Sequence, residues 1–148
     1  DLSPLSPARA RSYFDSVIMP ASARGICWAI HERSTGEFIG STAVTDFRGN
    51  DTCLFRIVIG EKSAWGKGYG TEATSLVLAE TFDVLDIAEV RLEVFSYNDR
   101  ARGAYRRVGF RETGRHVEWV ASHQRQLHVV EMACSRRDWT PPLLQQPR

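Results

Sequence analysis

The sequence has few cysteines, no long hydrophobic run and almost no net charge. Its three cysteines, Cys27, Cys53 and Cys134, are far apart and each lies in a strand-like run, which favours reduced core thiols over a disulfide framework. No apolar run approaches the roughly 18 residues of a membrane span, and no signal peptide opens the chain. The net charge of +1 gives no electrostatic argument for a nucleic-acid or membrane partner. We therefore expect a cytoplasmic protein with neither partner.

Metal-ligand spacing is also missing. None of the four histidines has a partner at H-x-x-x-H spacing, and the cysteines contain no C-x-x-C, so we expect no metal site. At 148 residues, of which 43% are hydrophobic, the chain is long enough to form one globular domain with a sizeable core. We expect the ends, residues 1–6 and 141–148, to be flexible.

The chain is organised around residues 54–81, which predict a strand, a glycine-rich turn and a helix in succession. Residues 54–59 form a nearly continuous β-branched and aromatic run, typical of a strand covered on both faces. Gly66, Gly68 and Gly70 then alternate with single residues before an apolar pattern of helical period begins at Thr71. Helix N-termini carry unpaired N–H groups and partial positive charge, so this turn, with Lys67 inside it, is typical of an anion site.

The glycine-rich turn also has a simpler interpretation, in which it binds no ligand. The glycines could serve only a tight connection between strand and helix. The common phosphate loops, G-x-x-x-x-G-K-[ST] and G-x-G-x-x-G, are both absent. We expect the turn to bind a nucleotide with a diphosphate, but by main-chain contacts that differ from those of these two loops.

The rest of the chain predicts one further helix ahead of this unit and several strands around it. Residues 7–19 allow a helix with Ser6 as N-cap and Pro20 as its end. A helical crossover joins the central strand to the strand at residues 89–95, so the two should lie parallel and adjacent. Strands are also expected at residues 26–31, 37–44, 110–120 and 126–134.

A short amphipathic helix is predicted over residues 98–109. Asn98 is a good N-cap and Gly109 a good C-terminal cap, with Tyr105 on the inward face. A core aromatic residue is the simpler interpretation of Tyr105. A solvated surface is the simpler interpretation of the outer face, formed by Arg100, Arg102, Arg106 and Arg107.

These two stretches match two known signatures. Residues 65–70 match Q/R-x-x-G-x-G/A with Trp65 in the first position, and residues 98–110 match N-x-x-A-x-x-x-Y-x-x-x-G-F. Over residues 26–139 the chain resembles the GNAT superfamily of acetyl-CoA-dependent N-acetyltransferases. It is most similar to the branch of ribosomal-protein N-terminal acetyltransferases. The resemblance implies an α+β fold with a mostly antiparallel mixed sheet of about six strands, flanked by helices, and a V-shaped splay between two central parallel strands.

The resemblance also implies a reaction and a set of site residues. Acetyl-CoA would donate its acetyl group to a primary amine, of a small molecule or a protein N-terminus, by direct attack, leaving coenzyme A. Tyr105 would be the general acid that protonates the departing thiolate. The cofactor would be bound by Val58, Ile59, Gly60, Trp65, Gly66, Lys67, Gly68, Tyr69, Gly70, Thr71, Asn98 and Tyr105.

The sequence leaves the general base open. Glu61 follows the central strand and Glu93 lies on the neighbouring strand, so one of these two is our choice. Asp46, Glu118 and His116 are further candidates, and for each one a plain surface charge is the alternative. The acceptor cleft could be lined by Trp28, Phe47, Trp119 and residues 7–19, although the same aromatic residues could belong to the core.

A catalytically silent acyl-CoA-binding sensor or interaction module is the alternative function. Tyr105 favours an enzyme, because a binding module needs no proton donor at the sulfur. Members of the family usually begin with a strand and a short helix, for which there is no room before residue 7, and the chain does not begin with Met. We therefore expect a truncated domain with an exposed sheet edge, which a homodimer would cover.

Overall fold

The computed structural model describes residues 12–18, 25–60 and 68–139, and for residues 12–18 it describes the main chain only. The ends expected to be flexible, 1–6 and 141–148, lie outside these residues, as does the first part of the glycine-rich turn. The elements are β1 (Ser12–Ile18), β2 (Ile26–Glu32), β3 (Phe38–Arg48), β4 (Thr52–Ile59), α1 (Tyr69–Asp83), β5 (Glu89–Phe95), α2 (Asp99–Val108), β6 (Arg111–Val120) and β7 (Arg125–Ser135).

All seven strands form one sheet in the order β1-β2-β3-β4-β5-β7-β6. Only β4 and β5 are parallel, and every other neighbouring pair is antiparallel. The parallel pair follows from the crossover through α1, which returns the chain to the same end of the sheet. The predicted mixed, mostly antiparallel α+β fold is confirmed, with seven strands where about six were expected.

The parallel strands β4 and β5 part soon after they meet. They pair only at Thr52↔Glu89, Cys53↔Val90 and Leu54↔Arg91. Beyond these positions β4 stays paired to β3 as far as Ile59, and β5 stays paired to β7 as far as Phe95. The two strands therefore diverge into the predicted V, with an open gap between them.

Both described helices pack on one face of the sheet. Alternate residues of β5 join α1 and α2 in a single buried cluster that includes Leu92, Phe82 and Val108. Arg91 and Glu93, which alternate with these, are exposed on the opposite face, and no helix among the described residues covers that face. Neither described helix has the length and apolar content needed to cross a bilayer.

The expectation that β4 is covered on both faces is wrong. Cys53 and Phe55 are buried under the helices, whereas Arg56 is exposed and Val58 keeps 64% of its surface accessible. Continuous hydrophobicity cannot distinguish a doubly covered strand from one whose second face is open.

The helix predicted over residues 7–19 is also wrong, because residues 12–18 form the edge strand β1. It pairs with β2 in antiparallel register from Ser12↔Glu32 to Ile18↔Ile26. Its run of Tyr13, Phe14, Val17 and Ile18 combines aromatic and β-branched residues, which suit a strand. Pairing with β2 is a contact between distant residues, and the local helical spacing of apolar residues gave no sign of it.

Two glycines, Gly103 within α2 and Gly109 at its C-cap, should respond in opposite ways to replacement by alanine. Gly109 has a φ of 115°, and a Cβ there would lie 2.4 Å from the carbonyl oxygen of Asp138. We expect Gly109→Ala to lower the free energy of unfolding by about 2 kcal/mol or more, because it combines backbone strain with a clash. Gly103 lies within the helix with nothing within 4 Å of an added Cβ. Gly103→Ala should therefore raise stability by up to about 1 kcal/mol. Urea unfolding would measure both, and equal effects would contradict the close packing at Gly109.

Candidate active site

The open gap is lined on one side by the main chain of β4. The N–H of Gly60 donates to the carbonyl oxygen of Ile39 on β3, 2.9 Å away. Because antiparallel strands alternate the direction of their peptide groups, those of Ile57 and Ile59 point away from β3, toward the gap. Three cofactor-binding residues were predicted at the end of β4. Ile59 presents its main chain to the gap, while Val58 and Gly60 turn theirs to β3. Ile57 was not predicted.

The described half of the glycine-rich turn is the start of α1. Gly68 adopts the left-handed conformation at the N-cap, with φ 83°, and no side chain caps the helix. Its carbonyl oxygen accepts the N–H of Glu72 at 3.0 Å, which closes the first turn. The N–H groups of Gly70 and Thr71 lie in this first turn, where a helix offers donors to a ligand. Glu61, Trp65, Gly66 and Lys67 lie outside the described residues.

Tyr69 turns its side chain into the protein. The ring is 3% exposed, and its hydroxyl donates a hydrogen bond to Oε2 of Glu32 at 2.5 Å. Burial, followed by this hydrogen bond, raises the pKa of Tyr69 to about 12. Only the main chain of Tyr69 is thus offered to a ligand at the helix start. Glu32 was missed by the sequence analysis because it lies 37 residues away from Tyr69 in the chain.

Tyr105 lies beside the gap on the helix-covered face. Asn98 caps α2 by accepting the N–H of Ala101 at 3.3 Å, as predicted, and the helix turns Tyr105 inward. The ring packs edge-on against Phe55, just past the last β4–β5 pair, at a centroid distance of 6.5 Å. Burial raises the pKa of Tyr105 to about 12, so the hydroxyl keeps its proton at neutral pH. Among the described residues it makes no hydrogen bond, which leaves its proton available for donation.

The predicted arginine face of α2 needs one correction. Arg100, Arg106 and Arg107 are exposed, but the side chain of Arg102 is only 16% exposed and pairs with Asp99. Position 102 lies one turn from both Asn98 and Tyr105, so it belongs to the flank of the inward face.

Four titratable side chains meet on the uncovered face of the sheet. Nδ1 of His116 lies 2.5 Å from Oε2 of Glu131, and its Nε2 lies 2.9 Å from Oε1 of Glu118. Oε2 of Glu93 is 3.9 Å from the same Nε2. Three of the five candidate bases are therefore neighbours. Asp46 is exposed and accepts a hydrogen bond from Thr45, so it stands apart from this group.

The strand register explains why these side chains meet. Glu93 on β5 is directly opposite Glu131 on β7. On β6, His116 and Glu118 are two residues apart and so share a face. Glu131, which the sequence analysis missed, is recognisable only once this register is known. Glu93 also lies two positions beyond Arg91, where pairing with β4 ends, so it borders the gap.

Electrostatics favour a protonated imidazole in this cluster. The hydrogen bond to Glu118, then that to Glu131, raises the pKa of His116 above its ordinary value. Glu93, His116 and Glu118 also place one potential ligand atom each within 4.8 Å of one another, so these residues could hold a metal ion. However, both ring nitrogens already face carboxylates, which suits an imidazolium that donates two hydrogen bonds.

Comparison with known proteins identifies the family. A sequence model described as an acetyltransferase (GNAT) domain matches residues 2–111, well over half of the chain. The chain belongs to this family.

Solved acetyltransferases share its fold. A spermidine N-acetyltransferase from Vibrio cholerae in complex with CoA and spermine is 21% identical, with a TM-score of 0.71 over 80% of this chain and 69% of that one. A chimera of SpeG and hSSAT is 22% identical, with a TM-score of 0.70 over 79% and 70%. Mycobacterium smegmatis RimJ in complex with CoA-disulfide is 21% identical, with a TM-score of 0.69 over 77% and 54%. This acetyltransferase therefore spans just over half of RimJ.

The aromatic residues considered for the acceptor cleft are divided by the structure. Trp28 is 7% exposed and belongs to the core, and Phe47 packs against the same core. Trp119 is 64% exposed on β6, so of the three it alone presents a large apolar surface to solvent.

Because the pKa of His116 is raised in the folded protein, the free energy of unfolding should depend on pH. A group whose pKa is higher in the folded state stabilises the fold below its unfolded pKa of about 6.5, and this contribution is lost as pH rises through the folded value. We expect wild type to exceed His116→Gln in unfolding free energy at about pH 6.5, with the difference shrinking toward about pH 9. Urea unfolding at several pH values measures it. His123→Gln is the control, because the ring of His123 contacts the Ser122 hydroxyl and no described carboxylate. A difference that grows with pH would contradict this account.

Proposed function

We propose that this acetyltransferase transfers the acetyl group of acetyl-CoA to a primary amine by direct attack on the thioester. The observation that carries the proposal is the placement of an unengaged, protonated Tyr105 and an uncapped helix start beside one open gap. The CoA ligands named for the spermidine N-acetyltransferase and RimJ structures support the choice of cofactor.

The gap and the helix start suit the two halves of coenzyme A. The pantetheine arm would lie in the gap as an additional strand, where the peptide groups of Ile57 face it, and one N–H there would polarise the thioester carbonyl. The pyrophosphate would be held by the N–H groups from Gly68 to Thr71 and by the predicted residues 65–67. The side-chain oxygen of Asn98 already accepts the N–H of Ala101 at the helix cap. Its side-chain NH₂ is therefore the group that would donate a hydrogen bond to the cofactor arm.

Tyr105 would act on the departing sulfur. Its pKa of about 12 lies above the roughly 8.5 of a free thiol, so complete transfer of the proton to sulfur would be uphill in this state. The hydroxyl would therefore stabilise the departing thiolate chiefly by donating a hydrogen bond to it. The ring is held by the core, so the hydroxyl needs no ordering at the moment of reaction.

Glu93 is the base that this geometry favours. Its carboxylate lies 3.9 Å from Nε2 of His116, beyond hydrogen-bond distance, whereas Glu118 and Glu131 are both hydrogen-bonded to the ring. Glu93 is thus the carboxylate of the cluster that can take a proton from an amine in the gap. Glu61, outside the described residues, stays an alternative prediction.

A small, multiply charged amine is the acceptor that we propose first. Three carboxylates surround one imidazolium, so the uncovered face is negative where the amine would enter. Spermidine and spermine, named for the spermidine N-acetyltransferase structures, are amines of this kind. A protein N-terminus, and with it the ribosomal-protein branch, stays a second prediction for the acceptor. The cytoplasmic location and the homodimer also stay predictions.

Replacing Tyr105 tests the enzyme against the silent binding module. We expect Tyr105→Phe to lower kcat by roughly 10²-fold, with little change in acetyl-CoA affinity, because only the proton donor is lost. Thiol release against a panel of amines measures the rate. Thermal unfolding with acetyl-CoA at 100 times Kd, expected to stabilise by about 2.7 kcal/mol, measures binding. Tyr97→Phe, on an exposed ring, is the matched control. Stabilisation of wild type by acetyl-CoA without thiol release on any amine would support the binding module.

Replacing Glu93 tests the base. At about pH 7 we expect Glu93→Gln to lower kcat/KM for the amine by roughly 10²-fold, because the attacking amine keeps its proton. The loss should shrink toward about pH 10, where the amine is increasingly neutral and Tyr105, with a pKa of about 12, is still protonated. The pH profile of kcat/KM measures this, with Glu80→Gln on the exposed side of α1 as control. A loss that is independent of pH would exclude Glu93 as the base.

A further inference from the structure

Tyr69 has the buried side chain in the first turn of α1, residues 69–72. Gly68 provides no side-chain cap, and the preceding residues 61–67 lie outside the described structure. Tyr69, the first residue of the helix, packs with Ile30, Ile39 and Ala73 in a small core cluster of its own. Its hydroxyl reaches Glu32 at the end of β2. The position of the helix start therefore depends on a side chain that points away from the ligand-binding side.

Glu32 is itself held in place on the β2–β3 hairpin. Its Oε1 accepts the hydroxyl groups of Ser34 at 3.1 Å and Thr35 at 3.2 Å, while Oε2 accepts Tyr69. Its main chain is fixed as well, because its N–H donates to the carbonyl oxygen of Glu37 at 2.8 Å and its own carbonyl accepts the N–H of Gly36 at 2.7 Å. A charge-assisted hydrogen bond to a carboxylate so constrained is a strong, directional tether.

We propose that Glu32 is a positioning residue for the cofactor, acting through Tyr69 to hold the first turn of α1 in the orientation that binds the pyrophosphate. The inference rests on the proposed function. Glu32 touches no cofactor in this account. Without the tether, the cofactor would have to order the helix start on binding, and its affinity would fall by that cost.

The negative charge of Glu32 allows its positioning role to be distinguished from a simple electrostatic effect on cofactor affinity. Removing a negative charge near the site of an anionic cofactor strengthens its binding by simple electrostatics. A loss of affinity on removal of Glu32 therefore has the opposite sign to the charge effect. Glu37 is exposed on the same hairpin, so Glu37→Ala measures the charge effect without the tether.

Calorimetric titration with coenzyme A provides the primary test. We expect Tyr69→Phe and Glu32→Ala each to weaken coenzyme A binding by about tenfold, since both remove the hydrogen bond between the Tyr69 hydroxyl and the Glu32 carboxylate. The double variant should lose no more than either single variant, because both act through the same bond. Glu32→Gln, which keeps an acceptor oxygen, should recover part of the loss, and Glu37→Ala should bind at least as tightly as wild type.

Kinetics separate positioning from general destabilisation. For Tyr69→Phe we expect the KM for acetyl-CoA to rise while kcat at saturating cofactor stays within about twofold, because the reacting groups are untouched. Tyr69→Phe keeps the buried ring, so it decides the question even where Glu32→Ala fails to fold. Unchanged affinity in Tyr69→Phe, or additive losses in the double variant, would overturn the role of Glu32. Failure of wild type to bind coenzyme A would instead overturn the proposed function.

Discussion

The parting of β4 from β5 is the constraint on which the rest of the site depends. Each strand keeps a full antiparallel partner on its other side, β3 for β4 and β7 for β5, so the sheet stays intact although the parallel pairing lasts for three residue pairs. The cost falls on the peptide groups that face the gap, including those of Ile57, which need a partner other than a neighbouring strand. An extended ligand with its own amides meets that need.

The alternation of side chains along β5 separates the two halves of the chemistry. Leu92 and its neighbours face the helices and build the apolar wall that buries Tyr105, while Glu93 faces the open side. In the proposed reaction, a thiolate would be stabilised by a neutral hydroxyl in an apolar surrounding, and an amine would be met by carboxylates in contact with water. The proposed base and the proposed acid would thus reach the thioester in the gap from opposite faces of the sheet, each in the environment that suits its charge.

Sequence reasoning succeeded where the signals are local. The caps Asn98 and Gly109, the bounds of β5 and the crossover to a parallel neighbour all follow from short-range spacing, and the structure confirms them. Sequence reasoning failed where the structure of a segment depends on residues far away in the chain. Residues 12–18 form a strand because β2 is available to pair. Glu131 and Glu32 are distinguished by strand register and a contact across 37 residues, which no local pattern encodes.

The two tyrosines near the gap show how partners, more than pKa values, assign roles. Burial raises the pKa of both to about 12, so both hydroxyls are protonated at any physiological pH. The hydroxyl of Tyr69 already donates a hydrogen bond to Glu32, so this side chain serves as an anchor. The side-chain hydroxyl of Tyr105 makes no hydrogen bond within the described residues, so its proton is available to a ligand. A developing thiolate would accept this hydrogen bond more strongly than the neutral sulfur of the thioester does. The interaction would then be stronger in the transition state than in the ground state, which is the condition for catalysis.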